Sequence, residues 1–331
     1  MFSHIKTIKL KKWLFNFKFF LQMIVRKHLS LYLIYFYTRK QMSYALLLSF
    51  VVTFEYYLFG SSFLPNMTAA VSILGISLSF LLSFRNSAAY DRWWEARRIW
   101  GDLMNQTRSF ATQVLTLIDV KFDKEGKLNT EKLKSLQKEI LYRQIAFNYA
   151  LTFHLRRQPH KINKLKDFLP EDEFLRLKNI QNIPNFLLLQ QSKTIQNAYN
   201  LGYTEDFRHI QFDKKITLFF SVLGGCERIK NTIFPRQYSY YSEIALWIFL
   251  TLLPWALIKE LGYYTPFISF VISFFFVILG YIGNNIEKPF ANSVNDTPIT
   301  QLSRQMEIDL KEMLGEDNLP EPIRPIKGYL Y

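Results

Sequence analysis

The sequence predicts an all-α membrane protein with a large helical aqueous part, and three observations predict it. First, four apolar stretches at 44–64, 66–84, 243–258 and 264–282 approach the roughly 20 residues that a helix needs to cross a hydrocarbon core. Second, 49% hydrophobic residues, with 31 phenylalanines among them, coexist with 21% charged residues. That mixture joins an embedded part to one that meets water. Third, period-two alternation persists nowhere between 120 and 235, while apolar residues recur there at helical spacing.

Residues 1–22 are basic and aromatic and have no apolar run leading to a small-residue cleavage site, so they read as an interfacial amphipathic segment, not as a signal peptide. The first 40 positions hold nine Lys/Arg and no Asp/Glu. Juxtamembrane charge of this kind marks the cytoplasmic side and attracts anionic headgroups. It accounts for the net charge of +14 better than nucleic acid does, because no zinc spacing, homeodomain-like helix or RNP pattern accompanies it. In the first span, Glu55 sits beside Tyr56 and Tyr57, residue types of the aromatic belt, and reads as lying at the outer interface. The uncharged link 60–68 suits a short external turn, with Pro65 opening the next helix.

The stretch 69–101 organises the chain. It begins small and apolar, turns amphipathic at Arg85 and meets no proline. A continuous helix of about 33 residues is about 50 Å long, enough to cross a core of about 30 Å and continue past it. Positions four apart sort into faces: Ile76, Phe80 and Phe84 make one stripe, Gly75, Ser79 and Ser83 the next. Small residues at this spacing let helix backbones approach closely in a membrane. The Ile/Phe stripe reads as core in a single copy. Around an axis shared by several copies it reads as stacked apolar rings, the anatomy of a dewetting constriction. Past Arg85, the residues Tyr90, Trp93, Trp94, Ile99 and Leu103 recur at helical spacing among charges. Asp91, Arg92, Glu95 and Arg98 stand at ion-pair spacings and, with Arg85 and the tryptophans, read as structural glue.

A polar connection over 120–140 has a turn at Gly126 and a helix start near Thr130. A helix over about 131–157 ends at the Pro159 break, and short charged segments continue to Pro184. Helices follow over about 185–201 and 204–231, the latter through Gly224-Gly225. After Pro235 come the last two spans; Pro254 inside the first of them is tolerable where neighbours satisfy the freed backbone groups. The tail from 289 carries an acidic run over 307–317, a helix of about 15 residues, then proline-rich chain. With four spans, both termini and the helical domain of about 85–235 fall on the basic, cytoplasmic side.

No catalytic constellation is visible. The five histidines have no metal spacing, and neither a G-x-S-x-G, a P-loop nor a G-x-G-x-x-G is present. We expect no enzyme, no metal and no cofactor. The single cysteine, Cys226, forms no internal disulfide and reads as a small buried residue beside two glycines.

The run Ser83-Phe84-Arg85-Asn86-Ser87-Ala88-Ala89-Tyr90-Asp91-Arg92-Trp93-Trp94-Glu95-Ala96-Arg97 resembles the signature of the bestrophin family, in its bacterial branch. Gly224-Gly225-Cys226-Glu227-Arg228-Ile229 and Glu287-Lys288-Pro289-Phe290, followed by Asn295-Asp296-Thr297-Pro298, extend the resemblance over about 23–300. It divides the chain into a basic extension (1–22), a channel domain (23–300) and a cytoplasmic tail (301–331). The bacterial family opens near Met23-Ile24-Val25-Arg26, so 1–22 are either an extension or the product of a start codon assigned too early. Bestrophins are pentameric channels, and the resemblance implies a homopentamer in the bacterial inner membrane, among lipids, passing chloride or other monovalent ions. By match to the motif, Ile76, Phe80 and Phe84 form the neck. A second, cytoplasmic constriction of the family would fall on the 185–201 helix at Ile195, or else at Leu189. Phenyl edges turned to the pore favour anions and phenyl faces favour cations; animal members pass anions, while a bacterial member can pass cations. Three readings follow: an anion channel, a cation channel of the same architecture, and a non-conducting helical scaffold. Animal members also follow Pro-Phe with an acidic calcium-binding run, whereas Pro289-Phe290 is followed here by a single carboxylate, Asp296. Calcium prefers six to eight oxygens, so no calcium gating is expected, and Asn295 and Asp296 are expected to cap the next helix.

Overall fold

The computed structural model describes residues 23–24, 31–60, 67–119, 130–293, 295–324 and 329–330. The helices in chain order are α1 (Leu31–Phe59), α2 (Thr68–Leu117), α3 (Thr130–Leu155), α4 (Glu171–Arg176), α5 (Ile183–Asn200), α6 (Asp206–Asn231), α7 (Arg236–Leu261), α8 (Thr265–Ile286) and α9 (Ile299–Met313), with 3-10 turns at Pro159–Phe168, Leu177–Asn179 and Gly262–Tyr264. One two-residue antiparallel pair, β1 (Met23–Ile24) with β2 (Tyr329–Leu330), stands beside the all-α expectation, with Met23 opposite Leu330 and Ile24 opposite Tyr329. The expectations for 1–22, Pro65 and Gly126 lie outside the described residues.

The chain forms two compact units: Arg26–Trp93 with Ile233–Lys288, and Met1–Val25, Trp94–Thr232 with Pro289–Tyr331. Helix α2 is one element of 50 residues, about 75 Å of rise, and contributes its apolar half to the first unit and its amphipathic half to the second.

In the first unit, α1, α7 and α8 pack on one another, and Val71, Leu78 and Leu82 of α2 join Phe249, Leu250, Leu253, Phe276 and Val277 in one apolar core. The inward face of α8 carries Ser269, Ser273, Gly280 and Gly283, small residues that permit close helix approach. Helix α1 starts well before the apolar run at 44 and stops at Phe59, where Gly60 takes φ +79° and its N–H bonds the Tyr56 carbonyl at 3.1 Å. Gly262 closes α7 in the same left-handed region, and a Cβ there would stand 2.8 Å from the Tyr57 hydroxyl. Glu55 lies in the last turn of α1, beside Tyr57, which stacks on Tyr263 at 4.0 Å. Among the described residues, three helical stretches are long and apolar enough to cross a membrane: Ile34–Phe59, Thr68–Leu117, and Asp206–Ile286, which contains α6, α7 and α8.

The second unit is built round α3, whose residues from Ile140 to Leu155 are almost continuously buried. Trp100, Leu103, Phe110 and Val114 of α2, Phe212 and Phe219 of α6, Leu187 of α5 and Met306 and Leu310 of α9 pack into the same core. A charged group stands inside it: Arg143 bonds both carboxylate oxygens of Glu173, at 2.7–3.1 Å, and also Thr194 and Glu139. Helix α3 ends at Leu155, short of the expected 157. Arg157 turns to φ +53° there, its N–H bonding the His154 carbonyl at 3.1 Å and the next N–H, of Gln158, the Phe153 carbonyl at 2.8 Å. The expectation for Asp296 needs correction. Its carboxylate does not cap α9, whose N-cap position is Pro298; it accepts the backbone N–H groups of Phe290, Asn292 and Thr297, each at 2.7 Å. The loop bends back through left-handed residues at Phe290, Asn292 and Asn295, and the turned amides converge on the one carboxylate before the helix begins. Burial raises the Asp296 carboxyl above its ordinary range despite those bonds.

Candidate functional site

The apolar half of α2 has two opposed faces. Leu78, Leu82, Arg85 and Ala89 are no more than 3% exposed and face the unit's interior. At 100° per residue, a shift of two positions turns about 200° round a helix. Ile76, Phe80 and Phe84 accordingly face away, 60%, 62% and 69% exposed. A single protomer therefore presents a branched aliphatic and two phenyl side chains as one open stripe. Of the small stripe beside it, Gly75 lies against the protomer's own Phe249, where a Cβ would come within 3.1 Å of the ring, and Ser79 and Ser83 are exposed.

What fixes this rotation is the residue after Phe84. The buried guanidinium of Arg85 bonds the side-chain oxygen of Asn284 and pairs with Glu287 at 3.2 Å, and Ser239 donates to the same carboxylate at 3.0 Å. The amide of Asn86 donates to the Leu279 carbonyl at 3.0 Å. A long charged side chain that must reach a fixed carboxylate at the end of α8 leaves α2 little freedom to roll about its axis. Asn284 and Glu287 were not visible as its partners in the sequence: Glu287 is 202 positions from Arg85, and no local spacing reports such a pair.

The rest of the signature divides between glue and surface. Tyr90 stacks at a tilt on Trp93, 5.8 Å between centroids, and is exposed, as are Asp91 and Trp94; Arg92 and Trp93 are half-buried. Glu95 pairs with Arg228 of α6 at 2.5 Å. Gly225 lets α6 approach α2, since a Cβ there would stand 3.1 Å from Ile99; a Cβ on Gly224 would meet open space. Glu227 accepts from Asn182 at 2.8 Å and faces His154 at 3.0 Å. Pro289 is buried, and Phe290 is fully buried beside Trp100, 6.5 Å between centroids. Ile195 departs from its expected place. It is 1% exposed and belongs to the core face of α5 with Leu187, Gln191 and Ala198, so its side chain meets α3 and α6 rather than any lumen. Leu189, on the other side of α5, is 47% exposed.

The model of the family described as bacterial/fungal bestrophin protein matches residues 34–312. The chain belongs to the bacterial and fungal bestrophins. The voltage-dependent anion channel-forming protein YneE of Salmonella typhi is 33% identical over 261 residues, 79% of this chain and 81% of that one. Its counterpart in Escherichia coli K12 is 32% identical over the same length and shares. The crystal structure of a bacterial bestrophin homologue from Klebsiella pneumoniae superposes with a TM-score of 0.75 at 28% identity, covering 84% of this chain and 98% of that one. The region matched by the bestrophin model contains the open α2 stripe, the Arg85 anchor and the loop held by Asp296. Bestrophin membership and the long apolar helices together make this a membrane protein.

Proposed function

We propose that the protein is an anion channel of the bacterial inner membrane, five copies of which surround one axis and pass chloride passively through a neck of Ile76, Phe80 and Phe84. The observation that carries the reading is the open stripe itself. Three large apolar side chains are exposed as one stripe on a helix whose opposite face is sealed, and an axis shared by several copies, as the bestrophin match supports, gives that stripe a place other than lipid. Five copies stack them as rings about 6 Å apart, an apolar constriction about 12 Å long. In this reading the spans are α1, the apolar half of α2, α7 and α8, with both termini cytoplasmic. The basic first 40 residues support that orientation. Leu189 is the candidate for a cytoplasmic constriction. The family points away from enzyme chemistry, and the anion channel formation in the relatives' names favours the anion over the cation reading.

The test is the reversal potential of the purified protein in planar bilayers under a tenfold chloride gradient. An anion pore shifts it toward the chloride equilibrium potential, about 59 mV per tenfold for a monovalent ion. A shift toward the cation potential overturns the selectivity and keeps the architecture. Absence of current, in Phe84→Ala as well, leaves the scaffold.

A further inference from the structure

The second unit holds a cavity of about 320 Å³ that the channel reading does not use. Ligand sites run from about 300 to 1,000 Å³, so it is the size for a small metabolite. It lies where α3 ends, α5 begins and α6 ends. Phe153, Leu155, Ile162, Leu165 and Ile183 give it an apolar wall, and Arg157 and Lys230 stand on its lining.

Charge around this cavity does not balance. Arg156 acts electrostatically on Lys230 together with Arg157, which makes three cations. Two carboxylates offset part of this charge, Glu227 on the cavity lining and Asp296 beside Arg156 and Lys230, and both are held by hydrogen bonds. Glu227 is engaged by His154 and Asn182, and Asp296 by three backbone N–H groups. Lys230 donates to a neutral carbonyl, that of Phe290, at 3.1 Å. Burial holds the Lys230 ammonium below its ordinary range, Arg157 and Arg156 adding to it, although the Asp296 carboxylate acts the other way. Burial likewise brings the Arg156 guanidinium down to about 10. The Nε of Arg156 and the side-chain oxygen of Gln158, which also lines the cavity, are buried without a hydrogen-bond partner.

A second observation is the backbone of Arg157, at φ +53°. The helix-ending position it occupies is one that glycine or asparagine takes at lower cost. A cation near the α3 C-terminus is favourable, but that explains the charge and not the choice of a β-carbon in a left-handed residue. Strained residues of this kind cluster at ligand clamps and active sites.

We propose that this cavity binds a small organic anion, with an oxyanion head between Arg157 and Lys230 and an apolar body against Phe153, Ile162 and Ile183. The assignment is independent of the pore. The head supplies the missing negative charge, and the body replaces water on the apolar wall.

The test is fluorine NMR of para-fluorobenzoate with the full-length protein in lipid nanodiscs, titrated to about 10 mM probe, a range that reports millimolar affinity. We expect saturable line broadening, competed by unlabelled benzoate and weak for the neutral para-fluorobenzamide. Lys230→Gln and Arg157→Gly each weaken binding by about tenfold or more, the scale of one lost charge-assisted bond. Arg157→Gly separates this role from a structural one, since glycine relieves the left-handed backbone. The variant keeps its assembly and its unfolding temperature does not fall, yet it loses the probe. Phe84→Ala, at the proposed neck, leaves the titration unchanged, which separates this site from binding in the pore. Three results overturn the proposal: no saturable broadening, equal broadening by the amide, or wild-type affinity in both Lys230→Gln and Arg157→Gly.

Discussion

Replacing Phe84 by alanine separates a pore-lining stripe from a sealed core, and the structure sets the expected cost. Phe→Ala in a fully buried site costs about 3–5 kcal/mol through lost transfer energy and the cavity left behind. Phe84 is 69% exposed in its protomer, so under a third of that burial is at stake, about 1–1.5 kcal/mol. Two positions earlier, Leu82 is 1% exposed on the opposite face of the same helix turn, and Leu82→Ala is expected to cost about 2–5 kcal/mol. The comparison is internal, because both variants lie in one helix, in one membrane, and remove an apolar side chain. Thermal unfolding in nanodiscs should therefore rank Leu82→Ala below Phe84→Ala. Size-exclusion chromatography should show both the wild type and Phe84→Ala in the same assembly. In planar bilayers Phe84→Ala should conduct severalfold more than wild type, since a ring of phenyls at the end of a dewetted constriction has become a ring of methyls. The reasoning is refuted if Phe84→Ala destabilises as much as Leu82→Ala, dissolves the assembly, or leaves the conductance where it was.

Three further outcomes follow from the second unit. Arg143→Met strands the Glu173 carboxylate in the core and is expected to cost about 3–5 kcal/mol in denaturant unfolding. The double change with Glu173→Leu recovers most of it, and no recovery in the double variant removes the ion-pair explanation. Burial acts to raise the Glu316 carboxyl, but hydrogen bonds from Lys138 and Tyr142 outweigh it and hold the group below its ordinary range. A depressed carboxyl contributes stability above its unfolded value and loses it as pH falls through the folded one. Protease cleavage after α9 should rise on acidification below about pH 4.3, and Glu316→Gln should show the acid-level rate already at neutral pH. Cys226 is fully buried, and burial pushes its thiol well up. A maleimide should leave native protein unlabelled and react once it is unfolded; stoichiometric labelling of the native state contradicts the core placement.

Most helices could be read from the chain because their causes are local. The α9 helix has the expected length, at Ile299–Met313, and α5 and α6 begin within two residues of the positions that Pro184 and Thr204 suggested. Thr130 opens α3 as expected. The misjudged boundaries have local reasons of another kind. Helix α1 continues back to Leu31 because helical hydrogen bonding does not require an apolar surface, and α3 stops early because of a left-handed arginine that composition does not flag.

The sequence by itself determined the family, the succession of helices, the apolar stripes on α2 and the basic bias of the first 40 residues, since periodicity, motif spacing and charge counts are properties of neighbours along the chain. The tertiary structure decided which stripe is open and which is sealed, because that depends on Arg85 reaching Glu287 across 202 positions. It also turned Ile195 into the core, committed Asp296 to three amides of its own loop, and brought Arg157 and Lys230 to the lining of one cavity. Periodicity defines the faces of a helix but not which face meets a partner. That choice is made by packing and by buried charges, whose partners lie far away in the sequence.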